Sequence, residues 1–256
     1  MTEIFCALDH VLLLADYNDP EKHKHWAKHL LISLKGNFNC LIEGEKISCE
    51  GIMISSNVFH TIESNGENLL VYIFDEPTDI SKEMEETYLK NRDYYILKSD
   101  IVEKIKTIWN HSMGKTSDSK KIEENYSNSY EKILNACNLK VKTPHIKDDR
   151  IKKVLKLLQD REEITDGTIG ELAQIICLSQ SRLSHLFKEE TKISLNSFLV
   201  ITKIAKTYEY IFAGENITEA CIKAGFHSPS HFATNNKNMF GISANEFRKQ
   251  VRFIQV

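Results

Sequence analysis

A repeated pattern in the carboxyl-terminal part of the chain limits the possible folds most. A short apolar helix, a tight turn and a capped second helix occur twice, as ELAQIIC followed by QSRLSHLFKEE and as TEACIKA followed by PSHFATNNKNMF. Ser179 and Ser228 stand where a hydroxyl can cap the second helix, and Pro229 suits a first helical position. A long helical pattern over 195–212 joins the two copies. The arrangement predicts two helix-turn-helix motifs.

Further helix signals surround the repeat. The stretch DDRIKKVLKLLQD places Ile151, Val154, Leu155 and Leu158 on one face, which predicts an amphipathic helix. Capping boxes, in which a polar side chain and a glutamate three residues later satisfy free backbone N–H groups, are predicted at 168–171, 216–219 and 243–246.

The exposed face of each second helix is the candidate DNA-reading surface, because the major groove admits one α-helix and displays a distinct edge for each base pair. In the first copy Leu183, Leu186 and Phe187 form the inner stripe, and in the second Phe232, Met239 and Phe240 do so. The predicted DNA contacts are the remaining polar residues: Gln180, Ser181, Arg182, Ser184, His185 and Lys188, then Ser230, His231, Thr234, Asn235 and Lys237. Two such helices should enter successive grooves, about 34 Å apart.

The amino-terminal part has a different period. Apolar runs of four to six residues at 11–14, 29–34, 38–42, 52–55 and 69–74 are separated by turn signals, which predicts an all-β barrel or sandwich. From about Ser81 the apolar spacing becomes helical, predicting two helices over 81–112, a connection over 114–128 and a further helix around 130–137. Residues 143–145, with Pro144, are expected to be a linker.

Composition and charge exclude several classes of protein. No apolar run approaches the length of a membrane span, and the first 20 residues do not resemble a signal peptide. Six cysteines without a C-x-x-C pair are expected to be free thiols in a reducing cytoplasm. The net charge is −6 over residues 1–143 and +3 over 144–256, which indicates two domains with different partners. The common motifs of hydrolases, metalloproteases and P-loop proteins are missing, so no catalytic residue is predicted.

Residues 168–250 resemble the AraC/XylS-type DNA-binding domain through LAQIICLSQSRLSHLFKEETKIS, NITEACIKAGFHSPSHF and FGISANEFRK. Residues 10–78 are more weakly similar to the cupin-type effector domain that often precedes it. The resemblance implies an α+β multidomain protein: a cupin-like β-barrel sensor at 1–80, a helical and dimerisation region at 81–143, and an all-α DNA-binding domain at 144–256.

Five residues depart from the pattern of that family. Lys192 stands where glycine is usual after the first recognition helix, and Asn236 stands for a core phenylalanine. Thr234 replaces an arginine, while Thr207 and Tyr210 replace a small residue and a leucine in the linking helix. A buried asparagine costs stability unless it finds hydrogen-bond partners. The second motif is therefore expected to bind DNA more weakly or through phosphates.

In the amino-terminal part, His23, His25 and His29 form an H-x-H-x3-H run, with His60 further on. The glutamate and glycine spacing usual in cupin metal sites is missing, so no metal or other cofactor is predicted. A small effector in the mouth of the barrel is the preferred hypothesis. Its expected contacts are His25, His29, Phe38, His60 and Tyr72.

The resemblance implies a cytoplasmic, homodimeric regulator that binds double-stranded promoter DNA and a small-molecule effector, and that contacts RNA polymerase if it activates transcription. Two alternatives stay open: a regulator controlled by a protein partner or by its own expression level, and a metal-dependent cupin enzyme fused to a DNA-binding module. The sequence identifies neither the effector nor the promoters, and it does not distinguish activation from repression.

Overall fold

The computed structural model describes residues 2–7, 9–24, 26–76, 78–113, 119–140, 146–240 and 251–255. The chain divides into two compact units: Met1–Thr143 together with Met239–Val256, and Pro144–Asn238. Within the described residues, no helix is both long and apolar enough to cross a lipid bilayer.

The first unit contains a sheet of nine strands. Their bounds are β1 Thr2–Cys6, β2 His10–His23, β3 Lys28–Ser33, β4 Phe38–Ile42, β5 Glu45–Cys49, β6 Gly51–Ile54, β7 His60–Phe74, β8 Tyr94–Ile96 and β9 Val251–Gln255. The main path runs β8-β6-β3-β7-β2-β1-β9, while β4 pairs with both β5 and β7. All pairs are antiparallel except β1 with β9, which is parallel. The predicted all-β character of the amino-terminal part is thus confirmed, and its strands form an antiparallel sheet apart from the β1–β9 pair.

Three helices pack on one face of this sheet: α1 Asp79–Met84, α2 Ser99–Met113 and α3 Ser119–Ala136, with a π-helical turn, Glu85–Leu89, directly after α1. Gly51 allows α2 to approach β6 closely, because a Cβ there would lie 2.8 Å from Cγ2 of Val102. Phe5 of β1 stacks on Tyr126 of α3 with ring centroids 4.7 Å apart. The core of the first unit therefore lies between the sheet and these helices.

One prediction for this region was wrong. The connection was expected over 114–128, but α3 begins at Ser119, so ten residues of that range are helical. Ile122 and Tyr126 are buried in the same core as Tyr130 and Ile133. Their spacing of four, four and three residues is helical, and the many polar residues between them occupy the outer face of the helix.

The second unit is helical, as predicted. Its helices are α4 Asp149–Asp160, α5 Thr168–Ile175, α6 Gln180–Thr191, α7 Leu195–Phe212, α8 Ile217–Lys223 and α9 Pro229–Phe240, whose last two residues belong to the first unit by contacts. The apolar face of α4 is buried through Ile151, Val154 and Leu158, and Leu155 is half-buried.

The three predicted capping boxes have different outcomes. Asn216 caps α8, since its Oδ1 accepts a hydrogen bond of 3.0 Å from the Glu219 N–H. Thr168 does not cap α5: Gly167 precedes the helix, and Thr168 Oγ1 instead accepts a hydrogen bond of 2.9 Å from the Thr165 N–H. That bond closes the turn before the helix and buries the hydroxyl. The box at 243–246 lies outside the described residues.

Candidate nucleic-acid interface

The first helix-turn-helix motif consists of α5 and α6. Ser179 has an extended backbone and caps α6, with its Oγ accepting a hydrogen bond of 3.2 Å from the Arg182 N–H. Leu183, Leu186 and Phe187 are buried on the inner side of α6. Leu186 and Phe187 follow Leu183 by three and four residues, so all three lie on one face of α6. The polar positions between them lie on the opposite, outer face.

The six predicted contact residues of α6 lie on this outer side. Ser184 is half-buried and donates a hydrogen bond of 2.9 Å to the Gln180 carbonyl. The other five side chains are exposed: Gln180, Ser181, Arg182, His185 and Lys188. The amino-terminal half of α6 therefore presents hydroxyl, amide and guanidinium groups next to one another.

Arg182 has one competing partner on its own helix. Its Nη1 lies 4.0 Å from Glu189 Oε1, and both side chains are more than half exposed. Exposed ion pairs contribute about 0–1 kcal/mol, whereas a bidentate contact between arginine and guanine contributes about 1–3 kcal/mol of base discrimination. Exchange of Glu189 for a guanine edge is thus energetically favourable.

The second motif consists of α8 and α9. Ser228 caps α9 as predicted, with its Oγ accepting a hydrogen bond of 3.1 Å from the His231 N–H, and the helix begins at Pro229. Phe232, Asn236 and Met239 are buried on the inner side. Four of the five predicted contact residues are exposed and Asn235 is half-buried; the exposed ones are Ser230, His231, Thr234 and Lys237.

Asn235 is already engaged within α9. Its Nδ2 donates a hydrogen bond of 2.8 Å to the His231 carbonyl one turn earlier. A bidentate contact with adenine requires the amide to leave that carbonyl and point outward. The predicted role of Asn235 in base reading therefore includes a change of side-chain rotamer.

Sequence analysis did not single out His227. Its ring is exposed, stacks on His231 with centroids 5.5 Å apart at 7°, and places Nε2 3.6 Å from Asp166 Oδ1. The sequence signal that could have identified His227 is its position immediately before the capping Ser228. A residue there lies at the end of α9 where the backbone N–H groups are free. The stack adds a second imidazole to the start of α9.

A family model described as a helix-turn-helix domain matches residues 172–250. The arabinose operon regulatory protein of Escherichia coli K12 is 29% identical over 103 residues, which are 40% of this chain and 35% of that protein. This carboxyl-terminal segment is an AraC-type helix-turn-helix domain.

Two further proteins are similar to this chain. Regulatory protein ada of Salmonella typhimurium LT2 is 31% identical over 101 residues, 40% of this chain and 28% of that protein. The chain thus spans about a third of the length of the curated relatives it matches. The crystal structure of ToxT from Vibrio cholerae O395 aligns over 93% of this chain and 96% of its own, with a TM-score of 0.47 and 13% identity.

Within this domain, the unusual Asn236 has a hydrogen-bond partner in the linking helix. Asn236 is fully buried, and its Oδ1 accepts a hydrogen bond of 2.7 Å from the Tyr208 hydroxyl of α7. Burial holds the pKa of Tyr208 well above its ordinary value, so the hydroxyl keeps its proton and donates. This bond joins α9 to the linking helix at the position where the family usually has a phenylalanine.

The other departures in the linking helix also have partners. Buried Thr207 donates a hydrogen bond of 2.8 Å to the Lys203 carbonyl, and the Tyr210 hydroxyl donates one of 2.7 Å to the Glu162 carbonyl. Lys192 ends α6 in the left-handed conformation, with φ of 66°, and its N–H donates to the Lys188 carbonyl. Lysine thus occupies the backbone conformation that favours glycine.

A carboxylate of α6 holds the segment that enters the second unit. Glu190 Oε2 accepts hydrogen bonds of 2.6 and 3.0 Å from the N–H groups of Lys147 and Asp148. These bonds lower the pKa of Glu190 below its ordinary value. Asp148 caps α4 and pairs with Arg150, which lowers the pKa of Asp148 to about 2. Two hydrogen bonds therefore connect α6 directly to the residues that precede α4.

The predicted effector contacts in the first unit do not form one cluster. The rings of His29 and His60 are buried with centroids 5.1 Å apart, and His23 adjoins His60 at 4.5 Å. Tyr72 instead stacks with Phe74 and Tyr130 in the core that faces the helices. Phe38 is buried at the start of β4, and His25 lies outside the described residues.

A cavity of about 450 Å³ lies beside these strands, and its described wall contains none of His29, Phe38, His60 and Tyr72. Lys22 and Lys46 line it together with Glu63 and residues of β4 and β5. Among the described residues, no group of three or more His, Cys, Asp or Glu side chains is placed to hold a metal ion.

Proposed function

We propose that this protein is a transcription regulator that binds promoter DNA through α6 and α9. The observation that carries the proposal is the matched construction of the two helices. Each begins at a capping serine, buries an apolar stripe and exposes a polar face. The family match over residues 172–250 and the similarity to the arabinose operon regulator support the same function.

Within this proposal the two helices have different tasks. Arg182 reads a guanine edge, with Gln180, Ser181 and His185 contacting neighbouring bases and Lys188 a phosphate. On α9, Ser230 and Lys237 hold phosphates, while His231, Thr234 and Asn235 contact bases. The backbone N–H groups at both helix starts bind phosphates through the helix dipole.

The first unit acts as the regulatory part, by dimerisation, by binding a small-molecule effector, or by both. Dimerisation pairs two DNA sites and raises the affinity without new contacts. An effector controls transcription only if it binds one arrangement of the DNA-binding units more tightly than another. The regulator acts in the cytoplasm as a homodimer, and it contacts RNA polymerase where it activates.

The DNA-binding proposal is tested by selecting bound sequences from random duplexes with the full chain. We expect two preferred blocks whose centres lie about one helical turn, or 10–10.5 base pairs, apart. Arg182→Ala should relax the preference at one base position, at a cost of about 1–3 kcal/mol. Failure of the unaltered protein to bind any duplex at low salt would contradict the proposed function.

A phosphate contact gives a different signature from a base contact. Lys237→Ala should weaken binding to all sequences alike and lower the slope of log K against log salt by about one. Lys104→Ala, an exposed lysine on α2, removes the same charge from the first unit and serves as the control. Equal effects of the two variants on the salt slope would show that Lys237 acts through net charge alone.

A further inference from the structure

Two cysteines of the first unit lie against each other on neighbouring strands. In the pairing of β4 with β5, Phe38 is opposite Cys49 and Cys40 is opposite Ile47. Cys40 and Cys49 are therefore diagonal neighbours, and since their side chains lie on the same face of the pair, they can touch. Both are buried free thiols, and they are close enough for each to shift the pKa of the other.

The contact makes this pair chemically unlike the other buried thiols. The hydrogen bonds from Cys40 and from the Gly51 N–H lower the pKa of Cys49, against the opposing effects of burial and of Glu50. Burial alone raises the pKa of Cys137 to about 12 and raises that of Cys6 further. The interaction with Cys49 and burial raise the pKa of Cys40, so Cys49 is the thiol of the pair that forms the reactive thiolate.

The pair is also within reach of small molecules. Cys40 forms part of the wall of the 450 Å³ cavity, which carries the two ammonium groups of Lys22 and Lys46. Lys22 Nζ lies 4.8 Å from the centre of the Phe59 ring, an interaction that stabilises the cation near this strand. A small molecule in this cavity therefore reaches the pair at Cys40.

We propose that Cys40 and Cys49 form a redox-active dithiol that a hydroperoxide converts to a disulfide. The Cys49 thiolate attacks one peroxide oxygen and becomes a sulfenic acid, while the other oxygen leaves as hydroxide and is protonated. The Cys40 thiol then attacks the Cys49 sulfur, gives up its proton, forms the S–S bond and displaces the sulfenic oxygen as water. With hydrogen peroxide, two thiols and one peroxide give one disulfide and two waters.

The diagonal register makes the oxidised form reversible. Diagonal neighbours in an antiparallel pair lie about 7–8 Å apart, whereas a disulfide rarely spans more than about 7 Å between Cα atoms. Closing the bond must therefore shift the β4–β5 hairpin. Strained disulfides are the more easily reduced ones, so a thiol reductant should reopen this bond in the folded protein.

The test treats the reduced, folded full-length protein with increasing hydrogen peroxide, alkylates the remaining thiols and maps the tryptic peptides by mass. Cleavage after Lys46 separates the two cysteines, so the disulfide appears as two peptides joined by a reducible link. We expect the loss of two alkylatable thiols and a Cys40–Cys49 link before any other. Exposed Cys177 should remain alkylatable as the internal reference.

Matched variants identify the pair. Cys40→Ser should abolish the link, whereas Cys137→Ser, which also removes a buried thiol, should leave it unchanged. If Cys40→Ser unfolds, binding of phenylarsine oxide to the unaltered protein replaces it, because this reagent needs two adjacent thiols and should protect both from peroxide. The proposal is overturned if the link forms only in denaturant, if Cys40 or Cys49 pairs with another cysteine, or if the arsenical gives no protection.

Discussion

The bond between Tyr208 and Asn236 shows how a residue that departs from the family pattern is accommodated in the core. Either group alone in this core would lack its 2.7 Å partner, and a buried polar group that loses its hydrogen bond costs about 1–3 kcal/mol. Sequence analysis could identify Asn236 as costly but could not identify Tyr208 as its partner. The two residues are 28 positions apart in the sequence, so no local pattern links them, and only the packing of α9 on α7 brings them together.

This pair predicts strong coupling in a double-mutant cycle. Tyr208→Phe and Asn236→Leu should each lower the free energy of unfolding by about 1–3 kcal/mol, and the double variant should lose less than the sum. Urea unfolding monitored by circular dichroism measures all three. Tyr210→Phe, which removes a hydroxyl from the more exposed side of the same helix, provides the control and should cost under about 1.5 kcal/mol. Additive effects of the two core substitutions would contradict the coupling.

The lowered pKa values of Glu190 and Asp148 predict that acid destabilises the start of the second unit. Both carboxylates have lowered pKa values, that of Asp148 being about 2, so their stabilising effect is complete above their ordinary values. It is lost as the pH falls from about 4 to about 2, because protonation removes the charge that accepts the hydrogen bonds. The Tm of the second unit should therefore fall in this range.

The variant Glu190→Gln tests how much of the fall in Tm at low pH is due to Glu190. The neutral amide binds the N–H groups of Lys147 and Asp148 less strongly, so the Tm should drop at neutral pH and fall less steeply below pH 4. Glu163→Gln, an exposed glutamate outside the helices, gives the matched change of charge. Identical pH profiles of the two variants would show that Glu190 does not stabilise the entering segment through its charge.

At the scale of elements, Gly225 determines how closely the second helix-turn-helix motif packs on its neighbours. Its φ is +100°, and a Cβ would lie 2.0 Å from the Ile164 carbonyl oxygen, beside the hydrogen bond from the Ile164 N–H to the Ala224 carbonyl. Gly214 has a similar φ of +103° but open space around the corresponding position. The two glycines therefore separate backbone strain from steric exclusion.

Alanine substitutions should measure that difference. Gly214→Ala should cost about 1–2 kcal/mol from the left-handed backbone alone. Gly225→Ala should cost more than about 4 kcal/mol, because the clash with backbone adds to the strain. Urea unfolding of both variants provides the comparison. Similar losses in the two would contradict the close packing of the turn against Ile164.

The sequence predicts elements well where capping and periodicity agree. The helices α6 and α9 begin directly after the predicted caps Ser179 and Ser228, and α7 has the predicted bounds of 195–212. A cap and an apolar stripe together specify one helix. Thr168 had the same local pattern as a cap but bonds to the preceding turn, an outcome that depends on where Thr165 lies. The short β8 and the parallel β9 were not predicted, because their pairing partners are far away in the sequence.

The same reasoning explains what could be predicted of the candidate site. Outward positions on α6 and α9 follow from helical period, so the sequence places all eleven contact residues on the side away from the buried stripe. Ion pairs and side-chain bonds on that surface, such as Arg182 with Glu189, depend on rotamers that the sequence does not specify. The predicted effector contacts show the same limit: of the four that the structure describes, His29 and His60 have adjoining rings, and the sequence does not specify this contact.

For the whole molecule, both ends of the chain contribute to the first unit. Five residues of β9 pair in parallel with β1, so the second unit is inserted between α3 and the last strand. Because each unit has its own core, differential scanning calorimetry should resolve two transitions that respond to different variants. Asn236→Leu should lower only the transition of the second unit.

Removal of residues 251–256 should lower only the other transition. Without β9 the backbone groups of β1 lose their pairing on that side, and β1 becomes an exposed edge of the sheet. DNA binding by α6 depends on contacts within the second unit, so the truncated protein should retain the base preference that Arg182→Ala relaxes. If calorimetry shows one transition, and the truncation and Asn236→Leu lower its temperature equally, the two units unfold together. The insertion would then describe the order of the chain and not two independently unfolding units.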